Sequence, residues 1–278
     1  RLSHVADPTT YINQQLTVST KLLTILLTSN FTNIPMNQKK PVIGIILDWE
    51  AKGSFSDFPY FALRTHYIDA IRLAGGTPFL IPYGDTDSVA DYLQLIDGLL
   101  VPGGFYAMPN SWYEGKDEQS PYQKTPRFEF EEVIIKQALN LDMPMLCICA
   151  GMQVLAGLFG CKLTADVSSL SNQSIEHFDL TKNHDINIAI DTILHKIVGK
   201  SVISTNSHHR EAITSVKAPI IVSARANDKV IEAIELKGKK FVLATQWHPE
   251  MLCHAGDQIN DQNPHHLIFK EFINAAKN

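Results

Sequence analysis

From Pro41 onward the chain alternates short apolar runs with stretches whose apolar residues recur at helical spacing, a pattern that confines it to a parallel sheet joined by crossover helices. Val42–Leu47 is the first run. Leu63, Tyr67, Ala70, Ile71 and Ala74 follow at helical spacing, and Gly75-Gly76 supplies the left-handed backbone that ends a helix. Phe79–Ile81 predicts a second strand, Asp85–Leu95 a second helix with polar residues to cap it, and Gly98–Val101 a third strand. Residues 102–126 have no steady period and predict a long loop, a feature that usually serves function inside a compact domain. Arg127–Leu139 returns to helical spacing, Met145–Ile148 is a buried strand and Gly151–Phe159 a helix, so a strand runs straight into a helix at Cys149. Further on, Ile186, Ile188 and Ile190 alternate with less apolar neighbours. Short strands at Val202–Ser204, Ile220–Ala224, Val230–Ile234 and Phe241–Thr245 then predict some antiparallel pairing at the sheet edge. The helix Pro264–Ala276 carries Leu267, Ile268, Phe272 and Ile273 on one stripe.

With 278 residues, 45% of them hydrophobic, the chain has apolar mass for one large core. A net charge of −5 with scattered Lys and Arg excludes the basic field that draws nucleic acid. Cysteines 147, 149, 161 and 253 are too sparse for a disulfide framework, and two of them share an apolar run, so a reducing compartment, the cytoplasm, is expected. Residues 1–38 read as an N-terminal extension outside the core, ahead of one domain over 39–278. They hold one acidic residue, and their apolar run Leu22–Leu27 is too short for a bilayer. Ser29-Asn30-Phe31-Thr32 is a poor signal cleavage site, and Met36 stands directly before the first strong strand. No membrane partner is expected.

Pro144-Met-Leu-Cys-Ile-Cys149-Ala-Gly151-Met-Gln153 places a cysteine where a buried strand must turn sharply into a helix. Such an elbow presents the side chain on a strained turn, Gly151 gives the backbone room, and the helix N–H groups favour a thiolate. Cys147 reads instead as a small buried hydrophobe. Gln246-Trp-His248-Pro-Glu250 falls at the carboxyl end of another strand, where open α/β sheets build their sites. His248 and Glu250 there supply a base and the carboxylate that orients it. Val101-Pro-Gly103-Gly104 is a third strand end. Its two glycines let backbone N–H groups approach a ligand, and with the N–H of Ala150 they form a candidate oxyanion hole.

These residues make the chain resemble the class I glutamine amidotransferase superfamily. Within it the chain is most similar to the peptidase C26 group, particularly the γ-glutamyl-γ-aminobutyrate hydrolases. The resemblance rests on Pro-Gly103-Gly104, the Cys149-Ala-Gly-Met-Gln153 elbow, Asn206-Ser-His-His209 and Trp247-His248-Pro-Glu250. Pro59-Tyr-Phe-Ala-Leu-Arg64 with Tyr67, Ala74-Gly-Gly-Thr-Pro78, and Arg127 at the head of its helix add to it. It implies an α/β, flavodoxin-like three-layer sandwich with a mostly parallel central sheet. It also implies cleavage of a γ-glutamyl amide, with Cys149, His248 and Glu250 as catalytic triad, a γ-glutamyl thioester intermediate, and no metal or organic cofactor. Asn206, Ser207, His208 and His209 would form a substrate-side loop, joined by Gln153. Arg127 is placed to hold a substrate carboxylate in a bidentate contact, with an ordinary solvated helix-end arginine as the alternative. The histidine pairs at 208–209 and 265–266 do not predict metal, because adjacent histidines project in different directions and no Cys or carboxylate lies at ligand spacing. Two departures from the family pattern stand out: Ala150 replaces an arginine common at the elbow, and Phe105-Tyr106 replaces an acidic residue after the glycines, predicting a more apolar amine end of the pocket. A glutaminase delivering ammonia to a separate synthetase, and a non-catalytic binding protein on the same fold, are the alternative readings. A small molecule is the expected partner, and a homodimer is left open.

Overall fold

The computed structural model describes residues 39–115, 118–170, 175–253 and 261–277; the extension expected over residues 1–38 lies outside them. Through the first half the elements are β1 (Val42–Ile46), β2 (Asp48–Glu50), β3 (Tyr60–Ala62), α1 (Thr65–Leu73), β4 (Thr77–Ile81), α2 (Val89–Leu95) and β5 (Gly98–Val101), then α3 (Pro126–Asn140), β6 (Met145–Ile148) and α4 (Ala150–Leu158). After them come β7 (Lys162–Thr164), β8 (Phe178–Ile188), α5 (Ile193–Val198), β9 (Val202–His208), β10 (Ala212–Ser215), β11 (Ile220–Ala226), β12 (Ile231–Leu236), β13 (Val242–Thr245) and α6 (Pro264–Ala276).

Nine strands form the central sheet in the order β4-β1-β5-β6-β13-β12-β11-β8-β9. Every pairing from β4 to β13 is parallel, and every pairing from β13 to β9 is antiparallel. The period-two alternation of strands sends Met145 and Cys147 into one core with α2, α3 and α4, and Leu146 and Ile148 into the other with α1, α5 and α6. The result is a three-layer α/β sandwich whose parallel strands, buried on both faces, are apolar throughout. Gly75, at φ +93°, ends α1 as the left-handed residue that β-carbon-bearing side chains adopt poorly.

The structure extends the expected edge pairing: the antiparallel part is half the sheet. β8 begins at Phe178, not near Ile186, and its early residues are polar because that stretch is largely exposed. Ile190, expected to continue the alternation, lies beyond the end of β8 and is 71% exposed. The two-stranded pairs β2–β3 and β7–β10 and the single-turn-and-a-half helix α5 were not foreseen, since segments this short hold too few residues to display a period. All four cysteines are buried free thiols. No helix among the described residues is long and apolar enough to cross a membrane.

Phe272 of α6 is fully buried, stacks on Phe241 with centroids 5.8 Å apart, and its ring occupies the space beside Gly98. Truncation there opens a cavity between helix and sheet, so Phe272→Ala is expected to cost about 3–5 kcal/mol. Urea unfolding should show a lower midpoint at unchanged slope.

Candidate active site

The carboxyl ends of β5, β6 and β13 lie side by side, and each delivers one part of a single cavity. At the end of β6, Cys149 has φ 53° and ψ −108°, a backbone state that costs about 1–3 kcal/mol and persists only where its surroundings enforce it. Its N–H donates to Thr245 O of β13 at 2.7 Å, and its carbonyl accepts from the N–H of Met152 at 3.0 Å and of Gln153 at 3.2 Å. Behind it, a Cβ on Gly151 would stand 2.5 Å from Val101 O, so only glycine lets α4 lie against the end of β5.

His248 follows β13, and its backbone is clamped from both sides by the Asn206 side chain. Its N–H donates to Asn206 Oδ1 at 2.9 Å, and its carbonyl accepts from Asn206 Nδ2 at 3.0 Å. His248 Nδ1 lies 2.7 Å from Glu250 Oε1, and Glu250 is completely buried in the turn Pro249–Met251. At the end of β5, a Cβ on Gly103 would meet His248 Cε1 at 2.8 Å, Cys149 Cβ at 3.2 Å and Tyr67 Oη at 3.3 Å. The four residues therefore converge on one point, and a glycine is required there. They open on a cavity of about 440 Å³ that Arg64, Asp48, Glu50 and Phe105 also line.

A sequence profile of the peptidase C26 family matches residues 41–250, from the first strand through Glu250. The chain belongs to the peptidase C26 family. It is 32% identical over 286 residues to a glutamine amidotransferase-like protein of Rickettsia prowazekii, covering 86% of this chain and 99% of that relative. It is 25% identical over 250 residues to the γ-glutamyl-γ-aminobutyrate hydrolase PuuD of Escherichia coli, covering 85% of this chain and 94% of that protein. The fold superposes with a TM-score of 0.55 on the acivicin-bound glutaminase domain of Trypanosoma brucei CTPS, at 17% identity, over 84% of this chain and 94% of that domain. The C26 chain is thus an enzyme of the hydrolase and amidotransferase-like kind.

Around this C26 site the structure separates residues that the sequence groups together. Arg127 is fully buried: Nε donates to Glu131 Oε1 at 2.8 Å, Nη2 to Pro102 O at 2.7 Å and Nη1 to Gly103 O at 3.1 Å, with Asp48 Oδ2 at 3.2 Å. Its guanidinium reaches the cavity wall, but its donors are engaged by the glycine loop and two carboxylates, which makes it neither a solvated arginine nor an open carboxylate fork. Tyr106 is buried too, with its hydroxyl bonded to Glu131, so of the Phe105-Tyr106 pair only Phe105 faces the cavity. The Gly103 N–H, expected in the oxyanion hole, donates to Tyr67 Oη at 3.0 Å. Gln153 is turned inward and donates to Glu211 O at 3.0 Å and Gln246 Oε1 at 3.1 Å.

Residues 206–209 alternate as a strand must. Asn206 faces His248, and His208 stacks on Phe178 at 4.4 Å with Phe105 edge-on at 5.6 Å. Ser207 and His209 face the opposite way, toward His177 and Glu232, so they do not line the cavity. His265 is a core residue that accepts from Trp247 Nε1 at 3.3 Å and lies 3.1 Å from Ser204 O. Four residues of the site were not assigned to it from the sequence, although Arg64 and Tyr67 belong to the motifs that carry the resemblance. Arg64, Asp48 and Glu50 sit on short segments without a period. Tyr67 reads as part of the α1 stripe, although a tyrosine at a buried position signals a hydroxyl in need of a partner.

Burial opposes the charged form of His248, yet the Glu250 carboxylate and the Cys149 sulfur outweigh it and hold the imidazole up to about 10. A histidine unfolds to a value of about 6.5. Stability from this proton is therefore fully present below pH 6.5 and lost as pH rises through about 10. Glu250→Gln removes the main support, so the gap in Tm between wild type and variant should be widest near pH 6.5 and narrow toward pH 10. A gap constant across that range in differential scanning calorimetry would contradict this electrostatic account.

Proposed function

We infer that this C26 enzyme hydrolyses γ-glutamyl amides of small amines, with Cys149 as nucleophile and His248, oriented by Glu250, as proton carrier. The convergence of Cys149, His248 and Gly103 at the cavity floor is the observation that carries this reading. The strained elbow leaves the sulfur ahead of the strand end, and the short Nδ1 contact to Glu250 keeps Nε2 of His248 available on the cavity side.

The Cys149 sulfur attacks the γ-carbonyl carbon, and the N–H groups of Gly104 and Ala150 receive the developing oxyanion, since that of Gly103 is directed to Tyr67. The C–N bond breaks as His248 gives its proton to the departing amine, which leaves a γ-glutamyl thioester. Water then loses a proton to His248 and attacks the thioester, releasing glutamate and restoring the sulfur. Arg64 and Glu50, opposite charges at the cavity wall, suit the α-carboxylate and α-ammonium of the glutamyl group. On the far side Phe105, with Tyr122 at 5.2 Å and His208 at 5.6 Å, offers an aromatic wall to the carbon chain of the amine. The three-methylene chain of a γ-aminobutyrate leaving group would lie along this wall. Four free buried thiols accord with work in the cytoplasm.

Glutamate release from γ-glutamyl-γ-aminobutyrate, γ-glutamyl-p-nitroanilide and glutamine tests the reading directly. Turnover of one of the first two is expected, falling at least about 10³-fold in Cys149→Ala. Arg64→Ala should raise KM more than it lowers kcat. Release from glutamine alone would favour an ammonia-delivering glutaminase, and no release from any of the three would remove the stand-alone hydrolase.

A further inference from the structure

A second polar cluster lies in the antiparallel half of the sheet, on the side of β9 turned away from Cys149. Glu232 of β12 is completely buried, and three imidazoles point at its Oε1: His177 Nδ1 at 3.4 Å, His209 Nε2 at 3.6 Å and His184 Nε2 at 3.7 Å. These separations are longer than the about 2.7–2.9 Å of a well-formed imidazole–carboxylate hydrogen bond. They fit the ligand–ligand edges of a tetrahedral zinc site, about 3.3 Å for bonds of about 2.0–2.1 Å.

The far side of each ring agrees with this. His177 Nε2 lies 3.0 Å from Asp228 Oδ2, and His209 Nδ1 lies 2.9 Å from Glu211 O. Both partners are acceptors, so each of those nitrogens carries a ring hydrogen, and in the neutral ring the other nitrogen presents its lone pair to Glu232. A histidine held through its far nitrogen by a carboxylate or backbone carbonyl is the arrangement that orients metal ligands. His184 Nδ1 has a longer contact of the same kind, 3.4 Å to Asp185 O. His184 Nε2, His209 Nε2 and both Glu232 carboxylate oxygens are buried with no hydrogen-bond partner among the described residues, so the cluster has unused ligand atoms. Ser207 Oγ, 3.1 Å from His177 Nδ1, is the one competing contact.

We propose that His177, His184 and Glu232 bind one zinc-class divalent cation, with Asp228 orienting His177 and His209 beside the site. One ligand atom each from His177, His184 and Glu232 lie within 4.8 Å of one another, and His209 Nε2, 3.6 Å from Glu232 Oε1, stands beside that set. A divalent ion balances the buried charges of Glu232 and Asp228, and imidazole-rich sets favour zinc and its neighbours over calcium or magnesium. The ion would touch no reacting atom. It would tie β8 to β12, next to the end of β9, whose Asn206 holds the His248 backbone.

The test uses the full chain carrying Cys149→Ala, so that the nucleophile's sulfur cannot compete for metal and success or failure of the hydrolase reading has no bearing on the outcome. After chelator treatment and confirmation of fold by circular dichroism, zinc is titrated calorimetrically and cobalt by visible absorption. One equivalent per chain is expected, with Kd of about 10⁻⁷ M or tighter, a higher Tm and a tetrahedral cobalt spectrum. Asp228→Asn keeps the shape of the orienting residue and should weaken binding about 10–100-fold, and His184→Gln should weaken it more. A folded, metal-free chain that takes up no zinc overturns the proposal, as does uptake with unchanged affinity in the Asp228→Asn chain.

Discussion

The site depends on one strained residue. Cys149 must leave a buried strand and enter a helix within a single peptide unit, and it does so at φ 53°, where a β-carbon is unfavourable. The surrounding bonds enforce that geometry: the Cys149 N–H is fastened to Thr245 O, and its carbonyl receives two N–H groups of α4. The helix itself is pressed against β5 through Gly151. Three neighbouring parallel strands therefore determine the same turn, and the sulfur cannot relax without disturbing β5 or β13.

Arg127 performs the equivalent task for the glycine loop. A fully buried guanidinium is costly unless its charge and donors are matched, and here Glu131, Asp48 and the carbonyls of Pro102 and Gly103 match them. The carbonyls are drawn toward the cation, which fixes the orientation of the peptide planes on either side of Gly103. The N–H groups of the loop are thus set by a residue that is itself on a helix, not by the loop's own preferences. Tyr67 completes the arrangement from α1 by accepting from the Gly103 N–H.

Much of this was legible in the sequence, for a physical reason. Parallel strands buried on both faces are unbroken apolar runs and a one-sided helix shows an apolar stripe, so β5, β6 and the helix Pro264–Ala276 agree with their expected limits to the residue. The strand ends carrying Gly103, Cys149 and His248 could be found because strand, turn glycine and reactive side chain occur together locally. What could not be read was anything depending on distant partners. Arg127 at a helix start is the same letter whether solvated or buried, and only the fold brings Glu131 and Asp48 around it. Gln153 likewise looks like a pocket residue until β10 and β13 place Glu211 and Gln246 beside it. The two-stranded β2–β3 and β7–β10 ladders were invisible because three paired residues have no period.

The segment Asn206-Ser-His-His209 shows how one short motif serves two environments. A strand sends alternate side chains to opposite faces, so its four polar residues divide two and two. Asn206 and His208 go to the Cys149 side, one gripping the His248 backbone and the other stacking on Phe178. Ser207 and His209 go to the buried cluster around Glu232. Read as a string, the motif looks like one substrate loop, and its adjacent histidines look unable to share a ligand. The second point is correct: His208 and His209 face apart. His209 finds its companions instead on β8 and β12, and so the residues that position His248 are continuous, through one strand, with a cluster of a different chemical kind.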